Sequence, residues 1–257
     1  MFPYRDENQT LRTPVVTFAI IGINVIVWLL VQGAGVPERV AASVCNFGLV
    51  PGELTRQATV GDGIPMGPGM ACVVDAEWQP HHVLYSMFLH GSWMHIVGNM
   101  WFLWIFGNNV EDSMGRARFV IFYLICGIAA ALAQVVVDPD SIIPMVGASG
   151  AIGGVMGAYI VLYPRVKVYN LLVLGFFITT VALPAWVMLG YWMLLQVFGG
   201  FMSFGSEGGG VAFAAHVGGF AAGALLIKLF ARKDYVAEHK AHHWRPKHLG
   251  FDRGQWQ

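Results

Sequence analysis

The sequence predicts an all-α polytopic membrane protein, a bundle of six transmembrane helices with a long outer loop after the first span. The 257 residues are 56% hydrophobic and only 12% charged, and the mean hydropathy is +0.59. This is too apolar for an ordinary soluble domain of that size. Several apolar stretches approach or exceed the roughly 18 to 20 residues that cross a hydrocarbon core. We interpret them as helices, because isolated strands would leave backbone groups unpaired in lipid.

Six spans are predicted along the chain. They are residues 14–31, 93–110, 119–137, 149–163, 184–202 and 210–230. The apolar run 166–204 is too long for one span, yet it lacks the polar turn that two spans would need. We interpret residues 168–181 as an interfacial or buried connector that ends at Pro184, and the count of six depends on this choice.

The distribution of basic residues favours six spans over seven. With both termini inside, 13 of the 15 Lys and Arg residues fall in inner segments, and only Arg39 and Arg56 fall in outer ones. This is the positive-inside bias of membrane proteins. No cleavage pattern follows the first span, so we expect it to be retained rather than removed as a signal peptide.

These positions divide the chain into three parts: a cytoplasmic leader (1–13), a membrane domain (14–230) with its outer loop at about 33–91, and a charged cytoplasmic tail (231–257). Within the outer loop, the Gly- and Pro-rich stretch 61–69 predicts irregular structure. Cys45 and Cys72 lie in the same loop, where an oxidising compartment would allow a disulfide; two free thiols are the alternative.

The tail is rich in histidine. It contains His239, His242, His243 and His248. Metal binding by these residues is conceivable, but we expect a solvated tail. A net charge of zero without a basic stripe gives no indication of nucleic-acid binding. We therefore expect no metal, no cofactor and no nucleic-acid partner.

Polar residues inside spans are costly and are candidates for function. His95 and Asn99 lie in the second span, Ser149 opens the fourth, and His216 lies early in the sixth. In the predicted topology these three spans run from outside to inside, and all four residues lie within about two turns of the span starts. At roughly 1.5 Å per residue, they share one depth in the outer part of the membrane.

Glycines follow both Ser149 and His216 at small-xxx-small spacings, which favour close contact between the fourth and sixth spans. Such contact would bring the Ser149 hydroxyl within reach of the His216 imidazole, as an activated serine requires. Neither span contains an acidic residue, so packing must orient the imidazole. His95, Asn99 and the Ser149 backbone N–H are candidate donors to an oxyanion.

Each residue alone has a plainer interpretation. Ser149 is also a suitable helix cap, and Asn99 is a suitable interhelical hydrogen-bonding residue. For His90, just before the second span, we favour a structural role. The combination at one depth is what favours catalysis.

Three segments carry a family resemblance: His-Gly-Ser-Trp-Met-His-Ile-Val-Gly-Asn at 90–99, Gly-Ala-Ser-Gly at 147–150 and Ala-His-Val-Gly-Gly at 215–219. Together they resemble the rhomboid intramembrane serine proteases over residues 83–228. The resemblance implies Ser149 as nucleophile, His216 as general base, and His95, Asn99 and the Ser149 N–H as the oxyanion hole. It also implies a water-filled cavity open to the outside and single-span membrane substrates cut near their outer boundary. We expect a multi-pass protein of the bacterial inner membrane.

The chain departs from the family pattern at three places. Where an aromatic stacks on the catalytic histidine in some members, this chain has Gly153. An Arg that often follows the glutamate of the second span is absent after Glu111, with Arg116 or Arg118 as possible substitutes. A Trp-Arg pair of the first outer loop is replaced by a His pair at 81–82.

Other functions are less consistent with the sequence. A non-catalytic rhomboid-like protein that binds membrane segments is expected to lack Ser or His, and both are present. A transporter would carry polar residues across the full membrane thickness, and a zinc protease would show His-Glu-x-x-His. The outer connector 203–209 is either a mobile cap over the cavity or a plain turn.

Overall fold

The computed structural model describes residues 2–67, 69–203 and 212–243. The helices of this part are α1 (Val15–Leu30), α2 (Pro37–Phe47), α3 (Pro51–Thr55), α4 (His82–Tyr85), α5 (Trp93–Met114), α6 (Arg116–Val137), α7 (Ser149–Leu162), α8 (Ala185–Ser203), α9 (Phe213–Phe230) and α10 (Lys233–His243). The strands are β1 (Phe2–Asp6), β2 (Gly63–Gly67), β3 (Met70–Val73), β4 (Lys167–Leu174) and β5 (Phe177–Pro184). The fold is mostly helical, but strands β1 to β5 contradict the prediction of an all-α protein.

Six long helices, α1 and α5 to α9, lie at the positions of the six predicted spans. Among the described residues, α6 and α9 have both the length and the apolar composition of a membrane span, whereas α1, α7 and residues Ala185–Gly200 of α8 are shorter apolar helices. Helix α5 has 22 residues but carries Glu111 and Asp112 near its C-terminal end. The positions of the helices agree with the prediction, and the crossing of the membrane by all six stays a prediction.

Helix α7 lies at the centre of the bundle, since ten of its 14 residues are buried. It packs directly on α9 through glycine. A Cβ atom at Gly219 would lie 2.0 Å from the carbonyl oxygen of Gly150, and one at Gly223 would lie 1.9 Å from that of Gly154. Any side chain there would push the helices apart. The predicted close contact between these two segments is confirmed.

The segment 168–181, predicted as an interfacial or buried connector, contains parts of two strands that the sequence did not predict. Strands β4 and β5 form an antiparallel hairpin in which Leu174 pairs with Phe177, and the turn contains Gly175 at φ +60°. Strand β1 adds to the other edge of β4, with Phe2 opposite Leu171. The turn between β4 and β5 contains no polar residue that would indicate a hairpin in the sequence. Strand β1 is distant in sequence from β4, so no local pattern indicates their pairing either.

The outer loop is more ordered than its composition predicted. Residues Gly63–Gly67 form β2, which pairs with β3, so the prediction of irregular structure at 61–69 is wrong there. Cys45 on α2 and Cys72 on β3 form a disulfide, with 5.3 Å between their Cα atoms. The question that the sequence left open is thereby answered in favour of pairing. Cys126 is a free thiol buried in α6.

The predicted leader and tail both pack on the helix bundle. His239 of α10 is only 1% exposed. Its Nδ1 lies 2.7 Å from the Tyr163 hydroxyl, and its Nε2 lies 2.9 Å from the carbonyl oxygen of Gln9. The expectation of a solvated tail is wrong for His239, whose ring has partners at the end of α7 and on the N-terminal segment, whereas Lys233, Asp234 and Glu238 of α10 are exposed. Residues 244–257, with His248, lie outside the described part of the chain.

The C-terminal end of α5 holds the start of α1. Glu111 accepts hydrogen bonds from the backbone N–H and the hydroxyl of Thr17, at 2.7 and 2.8 Å, so it interacts with the positive end of that helix. Asp112 accepts from Arg12 at 3.1 Å. Arg118, considered as a partner for Glu111, instead donates to the carbonyl oxygen of Phe230. Glu111 and Asp112 therefore bind Thr17 and Arg12 in the N-terminal part of the chain.

Asp6, at the end of β1, ties that strand to two helices. One of its carboxylate oxygens accepts from the Tyr159 hydroxyl at 2.5 Å and from the Asn109 amide at 2.9 Å. Desolvation raises the pKa of Asp6 from 3.8 to about 7, although the Tyr159 hydrogen bond opposes the change. A pKa raised on folding means that the folded state holds the proton more tightly than the unfolded chain.

Replacing Asp6 by Asn is expected to remove a pH-dependent part of the stability. The contribution from protonating Asp6 is complete below about pH 4 and is lost as the pH rises through about 7. Relative to Asp6→Asn, the wild type should therefore gain unfolding temperature as the pH falls from 8 to 5. Thermal unfolding in detergent measures this, with Glu7→Gln as the exposed neighbouring control. A difference that stays constant over this range would contradict the assignment.

Candidate active site

Ser149 is the first residue of α7 and follows a tightly held loop. The backbone N–H of Gly147 donates to the carbonyl oxygen of Ser86 at 2.8 Å. Gly147 has φ +130°, a conformation that only glycine adopts readily. The loop thus presents Ser149 at a helix N-terminus, where backbone N–H groups have no intrahelical acceptor.

The Ser149 hydroxyl contacts His216 on α9. Its Oγ lies 2.7 Å from the Nε2 of the imidazole, which is a normal distance for an O–H to N hydrogen bond. The glycine contacts between α7 and α9 make this approach possible. The structure therefore brings together the two residues that the sequence selected as a nucleophile and its base.

Two residues of α8 hold the other side of the imidazole. The Nδ1 of His216 lies 2.7 Å from Oε1 of Gln196. The ring of Trp192 lies beside it, with 5.8 Å between ring centroids and a tilt of 39°. The sequence, without an acidic residue in the predicted fourth and sixth spans, predicts that packing alone orients His216. The structure adds a hydrogen bond, and Trp192 supplies an aromatic neighbour that Gly153 does not.

Sequence reasoning missed both residues of α8, although a signal was present. Gln196 is a polar residue in an apolar predicted span, the same criterion that selected His95 and Asn99. Trp192 precedes it by four residues and so lies on the same helix face. The usual third member of such a site is an acidic side chain, and the predicted fourth and sixth spans contain none.

His95 lies beside Ser149, as predicted. Its Nδ1 accepts a hydrogen bond from the backbone N–H of Gly91 at 3.3 Å, which leaves the proton on Nε2. A Cβ atom at Gly147 would lie 2.8 Å from that Nε2 and 3.4 Å from Oγ of Ser149. Both polar atoms therefore lie close to the same backbone position.

Asn99 lies one turn further along the same face of α5. It is 8% exposed, and its Nδ2 has no hydrogen-bond partner among the described residues. A buried amide without an acceptor costs roughly 1 to 3 kcal/mol. Such a donor is available to a group that enters the site.

His90 has a structural environment. Its backbone N–H and carbonyl both pair with the Gln32 side-chain amide, each at 2.8 Å. The ring is fully buried and lies 5.1 Å from the His95 ring. Burial, and next the neighbouring His95, lower the pKa of His90 to about 3, so the ring is neutral at physiological pH. These contacts agree with the structural role that we favoured.

A pocket opens beside Ser149. Its walls are mostly small residues of α6, α7 and the preceding loop, and the larger side chains of Val83, Met87, Met145 and Val146 also line it. Among residues 2–67, 69–203 and 212–243, no group of three or more His, Cys, Asp or Glu side chains is placed to hold a metal. The predicted cap at 203–209 lies outside the described residues, except for Ser203 at the end of α8.

Replacing Gly147 by Ala is expected to lower the unfolding temperature. The new Cβ would clash with His95 at 2.8 Å and would occupy an unfavourable φ of +130°, a strain of about 1 to 3 kcal/mol. Gly98→Ala on α5 is the matched control, because a Cβ there meets nothing within 4 Å. Equal unfolding temperatures for the two variants would show that the loop near Gly147 relaxes freely.

The chain is similar to known proteins of one family. A family model described as a Rhomboid domain matches residues 77–233. The chain is 37% identical over 86 residues to the rhomboid protease GluP of Bacillus subtilis, covering 34% of this chain and 16% of that protein. It is 27% identical over 162 residues to the putative rhomboid protease YdcA of the same organism, covering 62% and 69%.

A plant relative is also similar. Rhomboid-like protein 11, chloroplastic, of Arabidopsis thaliana is 33% identical over 96 residues, covering 36% of this chain and 34% of that protein. The matched segments are thus less than half of the length of several relatives. The domain match, however, spans more than half of the present chain and includes the helices that carry Ser149, His216, His95 and Asn99. The chain therefore belongs to the rhomboid family of membrane-embedded proteins.

Proposed function

We propose that the chain is a rhomboid-type serine endopeptidase that hydrolyses peptide bonds of transmembrane substrates. The observation that carries the proposal is the 2.7 Å contact between Oγ of Ser149 and Nε2 of His216. A serine hydroxyl is a weak nucleophile until an adjacent base removes its proton. This contact provides such a base inside an apolar bundle.

The proposed reaction has two stages. His216 Nε2 takes the Ser149 proton while Oγ bonds to the scissile carbonyl carbon, and the resulting imidazolium returns the proton to the leaving amine. Water then attacks the acyl-enzyme, His216 again accepts and returns one proton, and the carboxyl product leaves Ser149. The base and acid steps use one imidazole, as in other serine hydrolases.

His95 and Asn99 are the proposed side-chain donors to the oxyanion. The Nε2 of His95 and the Oγ of Ser149 both lie near the position that a Cβ atom on Gly147 would occupy, and the unpaired Nδ2 of Asn99 is one turn away on the helix face that carries His95. The backbone N–H of Ser149 adds a donor at the positive end of α7. Donors placed before reaction stabilise negative charge without having to reorient during the reaction.

The proposed topology has six spans with both termini in the cytoplasm, and a membrane domain at 14–230. The charge bias supports it, since 13 of 15 basic residues then lie inside. The N-terminal ends of α5, α7 and α9, where the site lies, would face outward. Substrates are proposed to be single-span membrane proteins cut near the outer face of a bacterial inner membrane.

The alternative is a non-catalytic family member that binds membrane segments. Two relatives are named proteases, whereas the Arabidopsis protein is named only as rhomboid-like. The hydrogen-bonded pair of Ser149 and His216 supports the protease, because binding a membrane segment does not require an activated hydroxyl. Chemical labelling of the serine distinguishes the two.

Ser149→Ala is expected to abolish both proteolysis and labelling by a fluorophosphonate probe, while the fold survives. The probe reacts with a serine only when a base activates it. Purified protein in detergent is incubated with the probe and, separately, with a single-span model substrate. Ser141→Ala, in the loop before α7, is the control and should behave as the wild type. Full cleavage by Ser149→Ala would overturn the mechanism.

Asn99→Ala is expected to lower kcat by about 10- to 1000-fold with little change in KM, because an oxyanion donor acts mainly on the transition state. Kinetics with the same substrate measure this. Asn108→Ala provides the matched control, since it removes the same side chain from the other end of α5. An unchanged kcat for Asn99→Ala would make Asn99 an interhelical structural residue instead.

A further inference from the structure

We infer that Gln196 is the positioning residue that fixes the tautomer of His216, as the uncharged third member of the site. The inference rests on the proposed function, since it assigns the base its orientation. Gln196 contacts the imidazole and not the substrate, so its effect on the reaction passes through His216. Its Oε1 lies 2.7 Å from Nδ1.

The two hydrogen bonds of His216 are chemically consistent. A neutral imidazole has one N–H and one lone pair. To accept the Ser149 proton, Nε2 must carry the lone pair, and Nδ1 must then carry the hydrogen. The partner of Nδ1 therefore has to be an acceptor, which the carbonyl oxygen of the Gln196 amide provides. The wrong tautomer would place a lone pair against Oε1 and an N–H against the serine.

An amide suits this position better than a carboxylate in one respect. A buried, isolated carboxylate in an apolar bundle costs several kcal/mol of desolvation. The glutamine oxygen accepts the same hydrogen bond without a charge, and its dipole still favours the imidazolium that forms during reaction. We expect a weaker effect than that of the aspartate in a triad.

The contact between Gln196 and His216 also depends on how α8 packs against α9. Ala185, Met188 and Leu189 are buried near the start of the helix, and further along, its face toward α9 consists of Trp192, Gln196 and Gly199. A Cβ atom at Gly199 would lie 2.4 Å from the Phe213 ring. These three residues have the spacing i, i+4, i+7 of one helix face.

The opposite face of α8 is exposed in the part of the chain that the structure describes. Leu194 is 64% exposed and Phe198 is 63% exposed, as expected for side chains that face lipid. The second half of α8 is therefore attached to the bundle mainly on the side that holds His216. Displacing this half would remove Gln196 and Trp192 from the imidazole together.

The test compares Gln196→Leu, which removes the acceptor at similar size, with Gln196→Glu, which keeps it. Gln196→Leu is expected to lower kcat and the rate of fluorophosphonate labelling roughly 10- to 100-fold, with KM unchanged, because the base loses its fixed tautomer. Gln196→Glu is expected to retain activity within a few-fold. Its negative charge should move the acid limb of the pH–rate profile to higher pH. Among the described residues, His95 on α5 is a titratable group near His216, and it is unchanged in both variants.

A spectroscopic readout separates this inference from the proposed function. In ¹⁵N-histidine-labelled protein, the His216 ring should show a protonated Nδ1 and an unprotonated Nε2, assigned by comparison with His216→Asn. Gln196→Leu should show a mixture of both tautomers. Leu194→Ala, on the exposed face of α8, is the control and should match the wild type in kinetics and spectrum.

The outcomes are distinct. If the wild type neither cleaves nor labels, the proposed function fails, while the ¹⁵N spectrum still tests the tautomer. If Gln196→Leu keeps the wild-type kcat and a single tautomer, the positioning role is overturned. Equal losses in Gln196→Leu and Gln196→Glu, with an unshifted pH profile, would also overturn it, because they would show a packing role alone.

Discussion

The direct backbone contact between α7 and α9 is the constraint on which the site depends. Gly219 and Gly223 lie against the carbonyl oxygens of α7 at distances where a Cβ atom does not fit. Helices in lipid gain little from the hydrophobic effect when they associate, so close packing of this kind stabilises them instead. The same closeness permits a serine hydroxyl and an imidazole, on separate helices, to lie 2.7 Å apart. The glycine contacts thus account both for the packing of α7 against α9 and for the approach of Ser149 to His216.

Polar pairing is concentrated near the C-terminal end of α7, where Asp6 pairs with Tyr159 and Tyr163 with His239. Near the N-terminal end, the buried Nδ2 of Asn99 and both ring nitrogens of His90 lack a partner among the described residues. An unpaired buried donor favours binding of an acceptor. Asn109 Oδ1 is also unpaired among the described residues, so the lack of a partner alone does not mark the candidate site. The contact between Ser149 and His216 is what distinguishes it.

The sequence predicted the features that depend on local periodicity and on rare residues. The lengths of the apolar runs predicted the positions of the long helices. The polar residues within those runs identified the candidate site residues Ser149, His216, His95 and Asn99. The β4–β5 hairpin escaped prediction because strand and helix are hard to tell apart in a continuous apolar run. The pairing of β1 with β4 and the burial of His239 depend on contacts between distant parts of the chain, which composition does not record. Gln196 was not predicted for a different reason, since it is a neutral amide and the usual third partner of a catalytic histidine is acidic.

The N-terminal strand and the candidate base are connected through the fold. Strand β1 pairs with β4, β4 pairs with β5, and β5 ends at Pro184, directly before α8. The buried start of α8 is thereby fixed to a sheet that Asp6 ties to α5 and α7. Twelve residues after Pro184, on the same helix, Gln196 reaches His216. A helix is stiff along its axis, so the sheet sets the position of α8 from one end while Trp192 and Gln196 bind it to α9. The orientation of the imidazole therefore depends on segments that the sequence alone had assigned to a leader and a connector.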